Sequence, residues 1–278
     1  MSFLDNESFW QELESKTTKN DNAIKKEEKH SGNYLEITNM FEHVDKKYLK
    51  KKFIEYPNYD KMKINIPCYM GIIGKSGSMK TNWIFSFIQQ VSRFQRIVIV
   101  AKDPHNDPLY LDFIDKMRKL EKKHDVDILE IVPSLHEAPT CEDFDPKINN
   151  MMIVDDYMLA KNQSNIEELF IRARKVNLTI VYLAQAFFKI PSVIRDQFDY
   201  IVLKKVTSMR NLSNILSVYN NIGIDLKQFK KIYNDILKKG EKYGLLIDIK
   251  TNDETLRLRC DYTPLFNNEE IKELQANT

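Results

Sequence analysis

The sequence predicts an α/β fold in which a mainly parallel sheet carries helices on both faces. Two observations predict it. From Pro67 onward, short runs alternate with longer amphipathic stretches suited to helices. The short runs are mostly apolar, the pattern of strands covered on both sides. At 278 residues the chain has room for one such domain with extensions.

In chain order the strand runs are "CYMGII", "RIVIVA", "DILEIV", "MMIVD", "LTIVYLA" and "YIVLKK". "YGLLIDI" and "TLRLRC" follow a helical stretch and are expected as an antiparallel pair at one edge. Helices are expected at about 80–94, 107–122, 161–176 and 208–239, where apolar residues recur at helical spacing. Residues 1–32 hold one short helical candidate, Phe9 to Leu13. The polar run after it lacks the apolar residues for a core, so this segment is expected to be a flexible arm. Residues 33–65 read as a partly helical, basic extension with Lys46, Lys47, Lys50, Lys51 and Lys52 among aromatics, either a solvated helix face or a nucleic-acid or partner contact. The core is expected over 66–266, with a tail at 267–278.

Composition narrows the function classes. A hydrophobic fraction of 42% and a charged fraction of 29% are those of a globular protein, and a net charge of +2 gives no strong overall field. Any binding to nucleic acid must therefore come from local basic surface. No apolar run approaches the roughly 18 residues of a membrane span, and "MSFLDNESFW" is acidic and polar where a signal peptide is basic and then apolar. An intracellular setting is expected. Cys68, Cys141 and Cys260 are widely spaced and read as reduced core thiols, and the five histidines lack ligand spacing.

Three of the seven glycines, Gly71, Gly74 and Gly77, fall in "YMGIIGKSGSMKTNWIFSFI". Here a strand runs through a Gly/Ser-rich turn into a helix, close to the phosphate-binding pattern G-x-x-x-x-G-K-[ST]. Gly74, Lys80 and Thr81 occupy its fixed positions, and Met79 stands where the second glycine belongs. In such a loop, Gly74, Lys75, Ser76, Gly77, Ser78 and Met79 wrap backbone N–H groups around phosphates at the positive end of the following helix. Lys80 would reach the terminal phosphates of ATP and Thr81 would bind Mg²⁺. Met79 weakens the match, because a side chain must be turned from the ligand at a position that favours glycine. A Gly/Ser turn that merely precedes Lys-Thr is the other reading.

"MMIVDDYM" has the form of a Walker B strand, with Asp155 holding Mg²⁺ and Asp156 placed to polarise the attacking water. Asp-Asp at a strand end is also common in ordinary turns. "LTIVYLAQAFFKIP" ends its apolar run in Gln185, which faces the γ-phosphate if this strand lies between the other two. Such an interposed strand separates hydrolytic motor ATPases from most small kinases. Arg172, Arg174 and Lys175 read either as a solvated helix end or as an arginine finger reaching a neighbouring subunit, and Arg195 is a further candidate. Lys204-Lys205 and the lysines from Lys227 to Lys239 read as solvated surface.

Over residues 67–205 the chain resembles the genome-packaging ATPases of large double-stranded DNA viruses, of the poxvirus, giant-virus and virophage type, a branch of the FtsK–HerA motor superfamily. The resemblance rests on "GKSGSMKT", "KDPHNDPLY", "MMIVDD" and above all "RARKVNLTIVYLAQAFFKIPSVIRDQFDYIVL". It implies a P-loop NTPase with an additional-strand RecA-like core, assembly into a pentameric or hexameric ring, and translocation of double-stranded DNA into a preformed capsid. It also implies a capsid or portal-like vertex partner, and a location in the host cytoplasm, virus factory or virion. By motif position, Lys80, Thr81, Asp155, Asp156 and Gln185 take the family's catalytic roles, with Arg172 or Arg174 as the trans-acting finger. Glycine is usual at the position of Met79, so ATP affinity and turnover are what this departure touches. Nothing resembles the nuclease domain of phage terminases. Two alternatives are a hydrolysis-impaired nucleotide-binding scaffold in capsid assembly and a cellular FtsK/HerA-like DNA pump.

Overall fold

The computed structural model describes residues 54–206, 208–219 and 224–276, together with Val44. The arm at 1–32 and the basic stretch Lys46 to Lys52 lie outside the described residues. Those from 54 onward belong to one compact unit, Lys51–Thr278.

A single sheet of nine strands organises this unit, in the order β3-β2-β4-β5-β1-β6-β7-β8-β9. The strands are β1 Tyr69–Ile73, β2 Arg96–Ala101, β3 Leu129–Val132, β4 Asn150–Asp155, β5 Leu178–Ala184, β6 Tyr200–Leu203, β7 Leu245–Asp248, β8 Leu258–Cys260 and β9 Thr263–Pro264. The first six pair in parallel. β7, β8 and β9 continue the sheet antiparallel, which confirms the expected edge and adds a two-residue strand that no sequence pattern marks.

Eight α-helices are described: α1 Tyr59–Met62, α2 Lys80–Val91, α3 Pro108–His124, α4 Ser164–Arg172, α5 Ser192–Arg195, α6 Met209–Val218, α7 Leu226–Lys238 and α8 Asn268–Ala276. The buried strand residues divide by the two-residue period. Met70 and Ile72 face one core with Trp83, Phe87 and Tyr110 of α2 and α3. Tyr69 and Ile73 face the other with Leu169 and Phe170 of α4, Leu212 of α6 and Tyr233 of α7. Both faces of the parallel sheet are thus covered, the condition under which continuous apolar strands are stable.

Two boundaries differ from the sequence reading. The single helix expected at 208–239 is two helices, because Asp225 caps a new start: its carboxylate accepts from Gln228 N at 2.6 Å, and Gln228 Oε1 accepts from Asp225 N at 3.1 Å. Upstream, Tyr56, Met62, Ile64 and Ile66 are buried in the core, so the packed unit reaches back beyond residue 66. The three cysteines are buried and unpaired. No helix of the described residues is long and apolar enough to cross a membrane.

Candidate nucleotide site

The site lies at the ends of β1, β4 and β5 where parallel strands stop and loops begin. β1 ends at Ile73, and Gly74 N donates to Ala184 O at 3.0 Å, extending the pairing with β5 by one residue. Lys75 N donates to Lys205 O at 2.8 Å, which ties the loop to the end of β6 on its other side. A Cβ on Gly74 would stand 2.5 Å from Ser78 Oγ and 2.7 Å from Lys204 Cβ, so only glycine fits. Gly77 has φ +71°.

Met79 has φ 63° and ψ 32°, the left-handed region, where a side chain costs roughly 1 kcal/mol. Its backbone therefore takes a conformation that glycine adopts freely, and its side chain is exposed. The carbonyl of Met79 accepts from Trp83 N at 3.1 Å and opens α2. The first amides of α2 have no acceptor within the helix and point at the loop.

Lys80 Nζ donates to Gly74 O at 2.9 Å and to Lys75 O at 3.2 Å. Burial pulls its ammonium below the ordinary lysine range, and the carboxylates of Asp155 and Asp156 oppose that shift. The lysine thus shares one electrostatic neighbourhood with both acids. Thr81 is half-buried one residue further on.

Asp155 ends β4 in register with Ala101 of β2 and Leu183 of β5. Burial pushes its carboxyl upward, the hydrogen bond from Tyr110 and the charge of Lys80 pull it back, and Asp156 pushes it up again. Asp156, the first residue past β4, has φ +60°. Gln185 Nε2 donates to Asp156 Oδ1 at 3.1 Å. Because β5 lies between β4 and β1, Gln185 meets Asp156, and the charge of Lys80 acts on Asp155 and Asp156.

The arginines sit elsewhere. Arg174 donates to Asp199 Oδ1 at 2.7 Å and lies over the ring of Tyr69, 4.8 Å from its centroid. Tyr69 is the first residue of β1, so Arg174 is at the opposite end of the strand from the loop, roughly 15 Å away. Arg172 pairs with Glu142 at 2.6 Å and with Glu168. Neither serves this chain's own loop. Arg195 stacks over Phe187 and Phe188, 5.1 and 4.6 Å from their centroids.

Lys204 corrects the reading of Lys204-Lys205 as solvated surface. It is fully buried, because Nζ donates to Lys242 O at 2.6 Å and to Tyr243 O at 2.9 Å, and its stem packs against Gly74. Lys205 is exposed. No motif position marks Tyr110 as a site residue. Its hydroxyl donates to Asp155 Oδ2 at 2.6 Å. The one local signal is the Asp-Pro start of α3, where Asp107 accepts from Leu109 N and Tyr110 N and Pro108 takes the first helical position.

The family model described as poxvirus A32 protein matches residues 55–252, most of the chain and all of this site. The chain belongs to the poxvirus A32 protein family. This A32-family chain finds no match among curated protein sequences. Among solved structures it is similar to B204, the DNA-packaging ATPase from Sulfolobus turreted icosahedral virus, at 16% identity and a TM-score of 0.48, covering 73% of this chain and 100% of that one. It is also similar to the genome packaging NTPase B204 from Sulfolobus turreted icosahedral virus 2 in complex with ATP-gammaS, at 13% identity and a TM-score of 0.44, covering 73% and 100%. The N-terminal domain of zonular occludens toxin from Neisseria meningitidis is similar at 16% identity and a TM-score of 0.33, covering 50% and 76%.

Proposed function

We propose that this A32-family chain is an ATP-driven motor that translocates double-stranded viral DNA into a preformed capsid. The observation that carries the reading is the convergence of Lys80, Asp155, Asp156 and Gln185 at the ends of three adjacent strands, with the strand bearing Gln185 between the other two. Membership of the poxvirus A32 family supports the packaging role.

The donors at the metal position are the Thr81 hydroxyl and the Asp155 carboxylate, an all-oxygen set that suits Mg²⁺. The Thr81 hydroxyl and the Asp155 carboxylate would hold the ion there, and its charge would offset the negative charge that develops on the transferred phosphate. Lys80 moves its ammonium from the loop carbonyls to the terminal phosphates. The loop amides and the α2 N-terminus hold the phosphate chain. Asp156 and Gln185, already hydrogen-bonded to each other, hold the water that attacks the γ-phosphate in line.

Arg172 is the better trans finger. Its ion pairs are exposed on both sides and cost little to break, whereas Arg174, together with Lys250, neutralises an Asp199 that is only 9% exposed. A ring of identical subunits would bring Arg172 to a neighbour's nucleotide, with a capsid vertex component as the further partner and the host cytoplasm or virus factory as the setting.

Mg²⁺-dependent ATP hydrolysis by the purified protein, with and without duplex DNA, tests the reading. DNA-stimulated turnover that disappears in Lys80→Ala supports a motor. The strain at Met79 favours a second reading, a nucleotide-binding scaffold. Absent turnover in wild type that appears in Met79→Gly would select it.

A further inference from the structure

We infer that Tyr110 is a positioning residue that holds the Asp155 carboxylate in one orientation for a divalent cation. The inference rests on the proposed reading of the loop as a Mg²⁺-nucleotide site.

The Tyr110 hydroxyl donates to Asp155 Oδ2 at 2.6 Å, at the short end for such a bond, and the side chain is 3% exposed. Water therefore has little room to replace this donor. With Oδ2 engaged, Oδ1 is the oxygen left for a metal. A carboxylate held through one oxygen cannot rotate freely, and outer donors of this kind raise metal affinity by orienting the inner ligand.

Tyr110 is itself held from two directions. Asp107 caps the first turn of α3 through the amide of Leu109 at 2.8 Å and that of Tyr110 at 3.4 Å, which fixes where the helix begins. From the other side Phe85 of α2 meets the Tyr110 ring edge-on at 5.1 Å between centroids and stacks on Phe113 at 4.1 Å. Phe85 belongs to the helix that begins at Lys80. The phosphate-loop helix and the metal carboxylate are thus joined through one aromatic side chain.

The test is Tyr110→Phe, which keeps the ring and removes the donor. Wild type and variant are titrated with Mg²⁺ at fixed fluorescently labelled ATP, then with the same nucleotide in EDTA, and melted without metal. The expected result is a Mg²⁺ midpoint raised about tenfold, with unchanged nucleotide affinity in EDTA and an unchanged melting temperature. An unchanged Mg²⁺ midpoint, or equal weakening with and without metal, would overturn the inference in favour of a packing role. Should Tyr110→Phe melt early, Asp107→Ala loosens the first turn while leaving the hydroxyl. A smaller rise in the Mg²⁺ midpoint is then expected, and none would again overturn it. Wild type that binds nucleotide without any response to Mg²⁺ would remove the underlying site reading as well, an outcome distinct from an unshifted variant.

Discussion

Met79 and Gly74 make opposite demands on the same loop. Met79 already pays for a left-handed backbone with a side chain that points to solvent, so Met79→Gly relieves strain while adding flexibility to the unfolded chain. The expected outcome is a gain of at most about 1 kcal/mol in denaturant unfolding, with equal or tighter ATP binding. Gly74→Ala places a methyl group on Ser78 and Lys204 and is expected to lose about 1–3 kcal/mol, along with nucleotide binding by calorimetry. The importance of Gly74 was legible from its motif position. That of Lys204 was not, because its partners are carbonyls at Lys242 and Tyr243, far along the chain.

At the scale of elements, the antiparallel edge is joined to the N-terminal part of the unit by a buried arginine. Arg259 of β8 donates to Met62 O at 2.6 Å and to Lys63 O at 3.1 Å, and also to Asp248 Oδ2 of β7 at 3.1 Å. Burial pushes the Asp248 carboxyl up to about 6, although Arg259 and the amides of Thr251 and Lys250 draw it down. The folded state therefore holds this proton more tightly than the unfolded chain does. The contribution of Asp248 to stability is greatest below about pH 4, declines as pH rises towards about 6, and is level above that. Urea unfolding across this window should show a decline of at most about 3 kcal/mol from this group, and Asp248→Asn should remove it. A second joint links the loop helix to the same edge. Trp83 Nε1 and Gly244 N both donate to Asp261 Oδ1, at 2.9 and 3.0 Å. Asp261→Ala strands two donors and should cost about 1–3 kcal/mol by thermal melting.

For the whole molecule the two arginines predict different failures. Arg172→Ala should leave folding and ATP binding intact and remove most DNA-stimulated turnover, while Arg174→Ala should lower the melting temperature modestly, because Lys250 and the Tyr69 amide still hold the buried Asp199. Mixing Arg172→Ala with Lys80→Ala distinguishes a finger in trans. Mixed assemblies should regain activity, because some interfaces then join an intact loop to an intact arginine. No recovery would place the role of Arg172 within its own subunit.

The sequence by itself determined the parts whose chemistry is local. The runs at 96–101 and 178–184 coincide with β2 and β5, because strands buried on both faces are apolar at nearly every position. The loop motif at 74–81 and the acids Asp155 and Asp156 stand out in the sequence alone, since the proposed phosphate and metal chemistry calls for those residue types at fixed short spacing. Only the tertiary structure decided the order of the strands, and with it the meeting of Gln185 with Asp156. It also decided the contact of Tyr110 with Asp155, the burial of Lys204 and the distance of Arg174 from the loop. The reason is that these contacts join residues far apart in the chain. Their energies depend on which strands pair and which faces close, and no local periodicity records that choice.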